Sequence, residues 1–140
     1  MDPSHHGSCL CGAVRYRING PLKAFTHCHC RKCQKAHGAA FATYASAPAS
    51  RVEIDAEPDV LKGFESSPGV TRTFCGRCGS ALFWSDARGT FADWISIAVG
   101  TLDSPVQPEK QRQGCVETKV GWYWDCQIFC VRAGNGLPSG

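Results

Sequence analysis

The chain has 140 residues, a formal net charge of +3 and ten cysteines. That length buries a hydrophobic core without covalent staples, and a charge this small gives no dense basic stripe for a nucleic acid. No apolar run approaches the roughly 20 residues needed to cross a bilayer, because Ile95 to Val99 is cut short by Gly100.

The opening residues Met1-Asp2-Pro3-Ser4-His5-His6-Gly7 show no basic segment followed by an apolar one, so the expected compartment is the reducing cytoplasm. Cysteines there serve metal or chemistry rather than disulfides. The first clear element is Val14-Arg15-Tyr16-Arg17-Ile18, whose period of two puts Val14, Tyr16 and Ile18 on one face of a half-buried strand. Arg31 to His37 is the best helix candidate, and Gly38 would close it within two turns. Further β-rich runs cover Ala40 to Ala45, Val52 to Ile54, Val70 to Phe74, Ala81 to Trp84, Ile95 to Val99 and Gln127 to Val131, with Gly, Pro and Ser between them. The pattern predicts a mainly β, antiparallel fold in one domain over residues 5–132, followed by a loose tail over residues 133–140.

Three cysteine clusters carry the chemistry. Tetrahedral zinc, with bonds to sulfur of about 2.3 Å, needs close pairs of sulfurs on tight turns. Cys75-Gly76-Arg77-Cys78-Gly79 has that spacing, and its glycines let backbone N–H groups turn toward the sulfurs. Cys9-Leu10-Cys11 suits the second pair, since residues two apart on an extended chain face the same side. Cys9, Cys11, Cys75 and Cys78 are therefore expected to form a closed, structural zinc site tying the first strand to the middle of the sheet. Cys28, Cys30 and Cys33 supply three ligands within six residues, which leaves a fourth position for water or substrate and marks a catalytic zinc. The alternatives are that His27, His29, Cys115 or another side chain closes that position and makes the site structural, or that the cluster stays metal-free; on an extended segment His29 points away from Cys28 and Cys30. Arg31, Lys32 and Lys35, with Lys23, bracket the cluster, either as a solvated face or as groups that bind a carboxylate-bearing substrate or cofactor. Seven thiolates around two Zn2+ ions would offset most of the formal +3 and leave the chain near neutral.

At Gly7 to Tyr16, His27 to Cys33, Arg72 to Ser80 and Ile97 to Asp103 the sequence resembles the glutathione-dependent formaldehyde-activating (GFA, CENP-V/GFA) family. The resemblance implies a β-tent fold, a structural zinc on Cys9, Cys11, Cys75 and Cys78, and a catalytic zinc on Cys28, Cys30 and Cys33. It also implies a carbon–sulfur lyase that joins glutathione and formaldehyde reversibly into S-hydroxymethylglutathione. Lys119-Val120-Gly121-Trp122 fits the family's downstream motif, whereas its histidine position holds Gln113.

The expected partners are thus a small thiol, glutathione, and an aldehyde. The alternatives are a zinc-stabilised binding module without catalysis, or a thiol-rich protein that buffers metal or responds to oxidation. Trp122-Tyr123-Trp124 is expected to seal the core, and Cys115, Cys126 and Cys130 are expected to be buried free thiols.

Overall fold

The structure is a computed structural model and describes residues 3–123. The alternation at Val14 to Ile18 forms the central strand of a small sheet. Here β2 (Arg15–Asn19) lies between β1 (Ser4–Ser8) and β5 (Val52–Asp55), with both pairings antiparallel. Tyr16 and Ile18 are buried while Arg15, Arg17 and Asn19 are exposed, as a strand with one dry face requires.

The larger sheet has seven strands. These are β3 (Lys23–Cys28), β4 (Ala42–Pro48), β6 (Leu61–Ser67), β7 (Val70–Cys75), β8 (Ala81–Asp86), β9 (Trp94–Ala98) and β10 (Gln111–Gly114). Their spatial order is β10-β3-β4-β9-β8-β7-β6, and every pairing is antiparallel except β10 on β3. One face of this sheet packs on the small sheet: Ala47, Leu82, Phe83 and Ile97 bury against Val14, Tyr16 and Ile18. Tyr16 and Phe83 meet edge to face at 5.1 Å, and the Tyr16 hydroxyl bonds Thr101 Oγ1 at 2.6 Å. The residues beside these point the other way. Tyr44, Ala98 and Trp84 form a second, smaller cluster with Ala42, Cys28, Cys30 and Cys33. Pleating thus gives the sheet a core side and a side that carries cysteines.

Among the described residues the one α-helix, α1 (Arg31–His37), joins β3 to β4 and ends at Gly38, whose φ of 57° and ψ of 43° let its N–H close on the Gln34 carbonyl. It lies where the sequence places it.

Six of the expected strands are present within a few residues of their expected bounds. The run Gln127 to Val131 lies outside the described residues. Four strands carry no readable signal. β1 is Ser-His-His-Gly-Ser, β10 is Gln-Arg-Gln-Gly, β3 buries only Phe25 deeply, and β6 lies at an edge with most side chains exposed. Pairing partners make these strands, not their own hydrophobicity. Among the described residues Trp122 is 67% exposed and Tyr123 52% exposed, so neither seals the core; Tyr123 instead lies edge-on to Phe41 at 5.7 Å. Trp124 lies outside the described residues.

Candidate metal and active site

Cys9 and Cys11 sit in the turn after β1, and Cys75 and Cys78 sit at the turn from β7 to β8. The Cys9–Cys11 segment is not extended as expected. Gly12 N–H donates to the Cys9 carbonyl at 3.1 Å and Cys9 N–H to the Val14 carbonyl at 3.0 Å, so a tight turn, rather than strand alternation, brings the two sulfurs together. The opposing turn is closed by Cys75 N–H on the Ser80 carbonyl (3.0 Å) and Gly79 N–H on the Cys75 carbonyl (2.8 Å), with Gly79 at φ 79°. Thr73, Phe74 and Cys75 lie beside the edge strand β6, not mid-sheet. The four cysteines therefore join the small sheet to the second strand from the edge of the large one.

The four sulfurs lie within 4.8 Å of one another. The Cys9–Cys11 and Cys11–Cys75 distances are 3.6 and 3.8 Å, close to the roughly 3.8 Å that tetrahedral Zn–S bonds of about 2.3 Å impose. The donor set fits such a metal. Their acidities are also split. The Ser80 hydroxyl and N–H pull Cys78 down to about 5. Burial raises Cys9, but hydrogen bonds from Val14 N–H and the neighbouring thiols outweigh it and leave it lowered. Cys11 gains a bond from Ala13 N–H, yet burial and three crowding sulfurs push it up to about 11. Without a cation the cluster resists holding all its protons off at once.

The second cluster is built where β3 runs into α1. Cys28 ends the strand, Cys30 caps the helix by accepting Cys33 N–H at 3.3 Å, and Cys33 is buried in its first turn. Their sulfurs also lie within 4.8 Å of one another. Burial pushes Cys33 up to about 12, helped by Cys30 and opposed by Arg72. Burial raises Cys30 too, but hydrogen bonds from Cys33 and Cys28 and the Arg72 charge leave it lowered.

Arg72, on β7, is the group that sequence reasoning missed. Its two terminal nitrogens reach Cys33 Sγ at 3.7 and 3.6 Å, one of them reaches the Tyr44 hydroxyl at 3.4 Å, and Nε donates to Ser66 Oγ at 3.0 Å. His37 Nε2 lies 2.8 Å from the Tyr44 hydroxyl on the far side. Burial and the nearby Arg72 charge lower the His37 pKa. A signal did exist, since the alternation over Val70 to Phe74 puts a lone arginine at a strand's centre.

All three cysteines line a cavity of about 400 Å3, together with Tyr44, Arg72, Trp84, Arg112 and Cys115 among others. Among the described residues its lining holds two arginines and no carboxylate. Arg31, Lys32 and Lys35 are exposed on α1 outside that lining; Arg31 bonds Gln34 Oε1 and Lys32 Nζ bonds Ser67 Oγ, which itself lines the cavity.

His27 is engaged elsewhere through both ring nitrogens and His29 through one, its buried Nδ1 having no partner. His27 Nδ1 pairs with Thr43 Oγ1 at 2.8 Å and Nε2 with Gln111 Oε1 at 2.7 Å. His29 is buried, with Nε2 2.6 Å from Gln113 Oε1. Gln34 Nε2 donates to the His29 carbonyl (2.7 Å) and the Thr118 carbonyl (2.9 Å), lacing α1 to the segment after β10. Cys115 is exposed, not buried as expected, and the charge of Cys28 raises its pKa. Cys126 and Cys130 lie outside the described residues.

The model of the glutathione-dependent formaldehyde-activating enzyme family matches residues 4–119. The chain belongs to this family. A Halomonas elongata protein carrying the family's name is 34% identical over 128 residues, 83% of this chain and 77% of its own length. An Aspergillus oryzae protein of the same name is 31% identical over 77 residues, 54% of this chain and 40% of its own. A lyase of Schizosaccharomyces pombe, otherwise uncharacterised, is 25% identical over 62% of this chain and 61% of its own. The crystal structure of a Rhodobacter sphaeroides protein superposes with a TM-score of 0.60 at 22% identity, covering 77% of this chain and 98% of that one, and supports the fold. Among the described residues no helix is long and apolar enough to cross a membrane.

Proposed function

We propose that this GFA-family chain is a zinc-dependent carbon–sulfur lyase that forms or cleaves an adduct of glutathione and an aldehyde such as formaldehyde. The observation that carries the reading is the convergence of Cys28, Cys30 and Cys33 on the wall of a cavity lined by Arg72 and Arg112. The names of the family and of the Schizosaccharomyces lyase support the reaction class.

In this reading Cys9, Cys11, Cys75 and Cys78 hold a structural zinc, and Cys28, Cys30 and Cys33 hold the catalytic one. Zinc held by three thiolates supplies Lewis acidity, lowering the pKa of a thiol at its fourth position or polarising a carbonyl. The protein's own groups do the rest. Arg72 and Arg112 give the cavity a positive wall suited to the carboxylates of glutathione, and Lys32 at the rim, with Arg31 and Lys35 on α1, extends that field. Tyr44 and Arg72 present O–H and N–H donors to the same space, the donor types that a carbonyl oxygen needs as it gains negative charge. As the carbon–sulfur bond forms, the thiol loses its proton and the carbonyl oxygen gains one, so the adduct is a neutral alcohol; cleavage reverses each change. The reading places the chain in the cytoplasm, where the thiols stay reduced, and assigns the activity to a domain spanning residues 5–132.

The test is zinc content per chain, followed by exchange spectroscopy of glutathione with labelled formaldehyde at equilibrium. Faster exchange that disappears in Cys28→Ser is the expected result. Two bound zincs without any acceleration, for any aldehyde tried, would turn the reading toward a zinc-stabilised binding module.

A further inference from the structure

The register of β10 against β3 sets Gly114 opposite Cys28, and His29 N–H donates to the Gly114 carbonyl at 2.9 Å. The next residue, Cys115, is therefore delivered to the edge of the three-cysteine cluster. It is held in the left-handed region (φ 53°, ψ 43°), and its carbonyl accepts from Thr118 N–H at 3.2 Å and from Thr118 Oγ1 at 3.0 Å. It lines the same cavity as Cys28, Cys30 and Cys33. It lies outside the tight group in which Cys28, Cys30 and Cys33 stand within 4.8 Å of one another. His27 is committed through both ring nitrogens to Thr43 and Gln111; His29 bonds Gln113 through Nε2, and its buried, unpartnered Nδ1 belongs to neither the sulfur group nor the cavity lining. The side-chain oxygens of the lining are hydroxyls of Ser, Thr and Tyr, weaker zinc ligands than a thiolate.

We propose that Cys115 is the resident, displaceable fourth ligand of the Cys28–Cys30–Cys33 metal centre, and that a substrate thiol enters by taking its place. This rests on the zinc reading above and specifies how the fourth position is kept and opened. The exchange is balanced and involves no redox change. The metal bond to Cys115 sulfur breaks, a metal bond to the incoming sulfur forms, and the proton of the incoming thiol passes to Cys115. One thiolate replaces another, so the charge of the centre is unchanged, whereas displacing water with a thiolate would alter it. Exposure of Cys115 to solvent, unlike buried Cys33, leaves it room to swing out.

The experiment compares the zinc-loaded full chain with Cys115→Ser by zinc-edge absorption spectroscopy, without and with glutathione. The expected result is sulfur-only coordination in the wild type. The variant should lose one zinc–sulfur bond in exchange for a light atom, and glutathione should restore sulfur-only coordination to it. A wild type that already shows a light-atom neighbour, and that gains sulfur on addition of glutathione just as the variant does, would overturn the role of Cys115 while leaving the open three-cysteine zinc intact. If the wild type binds metal only at the four-cysteine site, the zinc reading and this proposal fall together. Zinc content per chain, read together with the wild-type spectrum, separates these cases even if the variant folds poorly: two zincs with sulfur-only coordination support the proposal, and one zinc removes it along with the zinc reading.

Discussion

At the scale of single residues, the proposed zinc assignment gives the two cysteine groups different jobs in the fold, and point changes should separate them. Cys75 is fully buried between the sheets within the main core, whereas Cys28 sits at the cavity wall. Cys75→Ser is expected to unfold the domain or lower its stability by several kcal/mol, because loss of a structural zinc ligand removes folding free energy. Cys28→Ser should retain the β circular dichroism spectrum and lose activity; equal effects on folding would overturn this division. Arg72 is the second point of control. Arg72→Met removes the donors to Cys33 and Tyr44, and kcat/KM should fall about tenfold to a hundredfold with zinc content retained. His37 governs the acid side. Its pKa is depressed below 6.5 in the folded state, so the unfolded chain binds the proton more readily. Its stabilising effect is complete above 6.5 and is lost as the pH falls through the lower, folded value. His37→Phe should flatten that part of the stability profile in urea titrations across the acid range.

At the scale of elements, α1 depends on its ends. Seven residues are too few to be stable alone, so the cap of Cys30 on Cys33 N–H, the Gln34 bonds to two carbonyls and the Gly38 stop must hold it. Nothing lies within 4 Å of a Cβ placed on Gly38, so Gly38→Ala tests the left-handed backbone alone. It should cost about 1 kcal/mol, read as a shift of the urea midpoint at constant slope. The β10 strand is the other critical element. It has no apolar residue, yet its parallel pairing with β3 delivers Gln111 and Gln113 to the two histidines and Cys115 to the cavity. Gln113 Oε1 serves as an acceptor for His29 Nε2 at 2.6 Å.

At the scale of the whole molecule, the four-cysteine cluster bridges the two sheets while the three-cysteine cluster lies on the opposite face of the larger one. On the proposed assignment of a zinc to each cluster, metal removal should therefore proceed in two stages. Mild chelation should empty the exposed cavity site and abolish activity while the fold persists, and stronger chelation should release the second zinc together with unfolding. Parallel metal release and circular dichroism would check this. Simultaneous loss of both zincs with the fold would show that the sites are not independent.

The grouping of the cysteines into a set of four and a set of three, the helix after Cys30 and the buried face of β2 were legible in the sequence alone. Each follows from local spacing: sulfurs on tight turns, a glycine that ends a short helix, and side chains alternating along a strand. The polar strands β1 and β10 were not legible, since their residues bury little and pair only because a neighbouring strand edge is available. Nor could spacing place Arg72 against Cys33 or Cys115 against Cys28, which lie 39 and 87 residues apart in sequence. The sequence determined which atoms could bind metal. The register between distant strands decided which cations, hydroxyls and further thiol surround them, because such contacts depend on where the chain returns and not on what precedes or follows each residue.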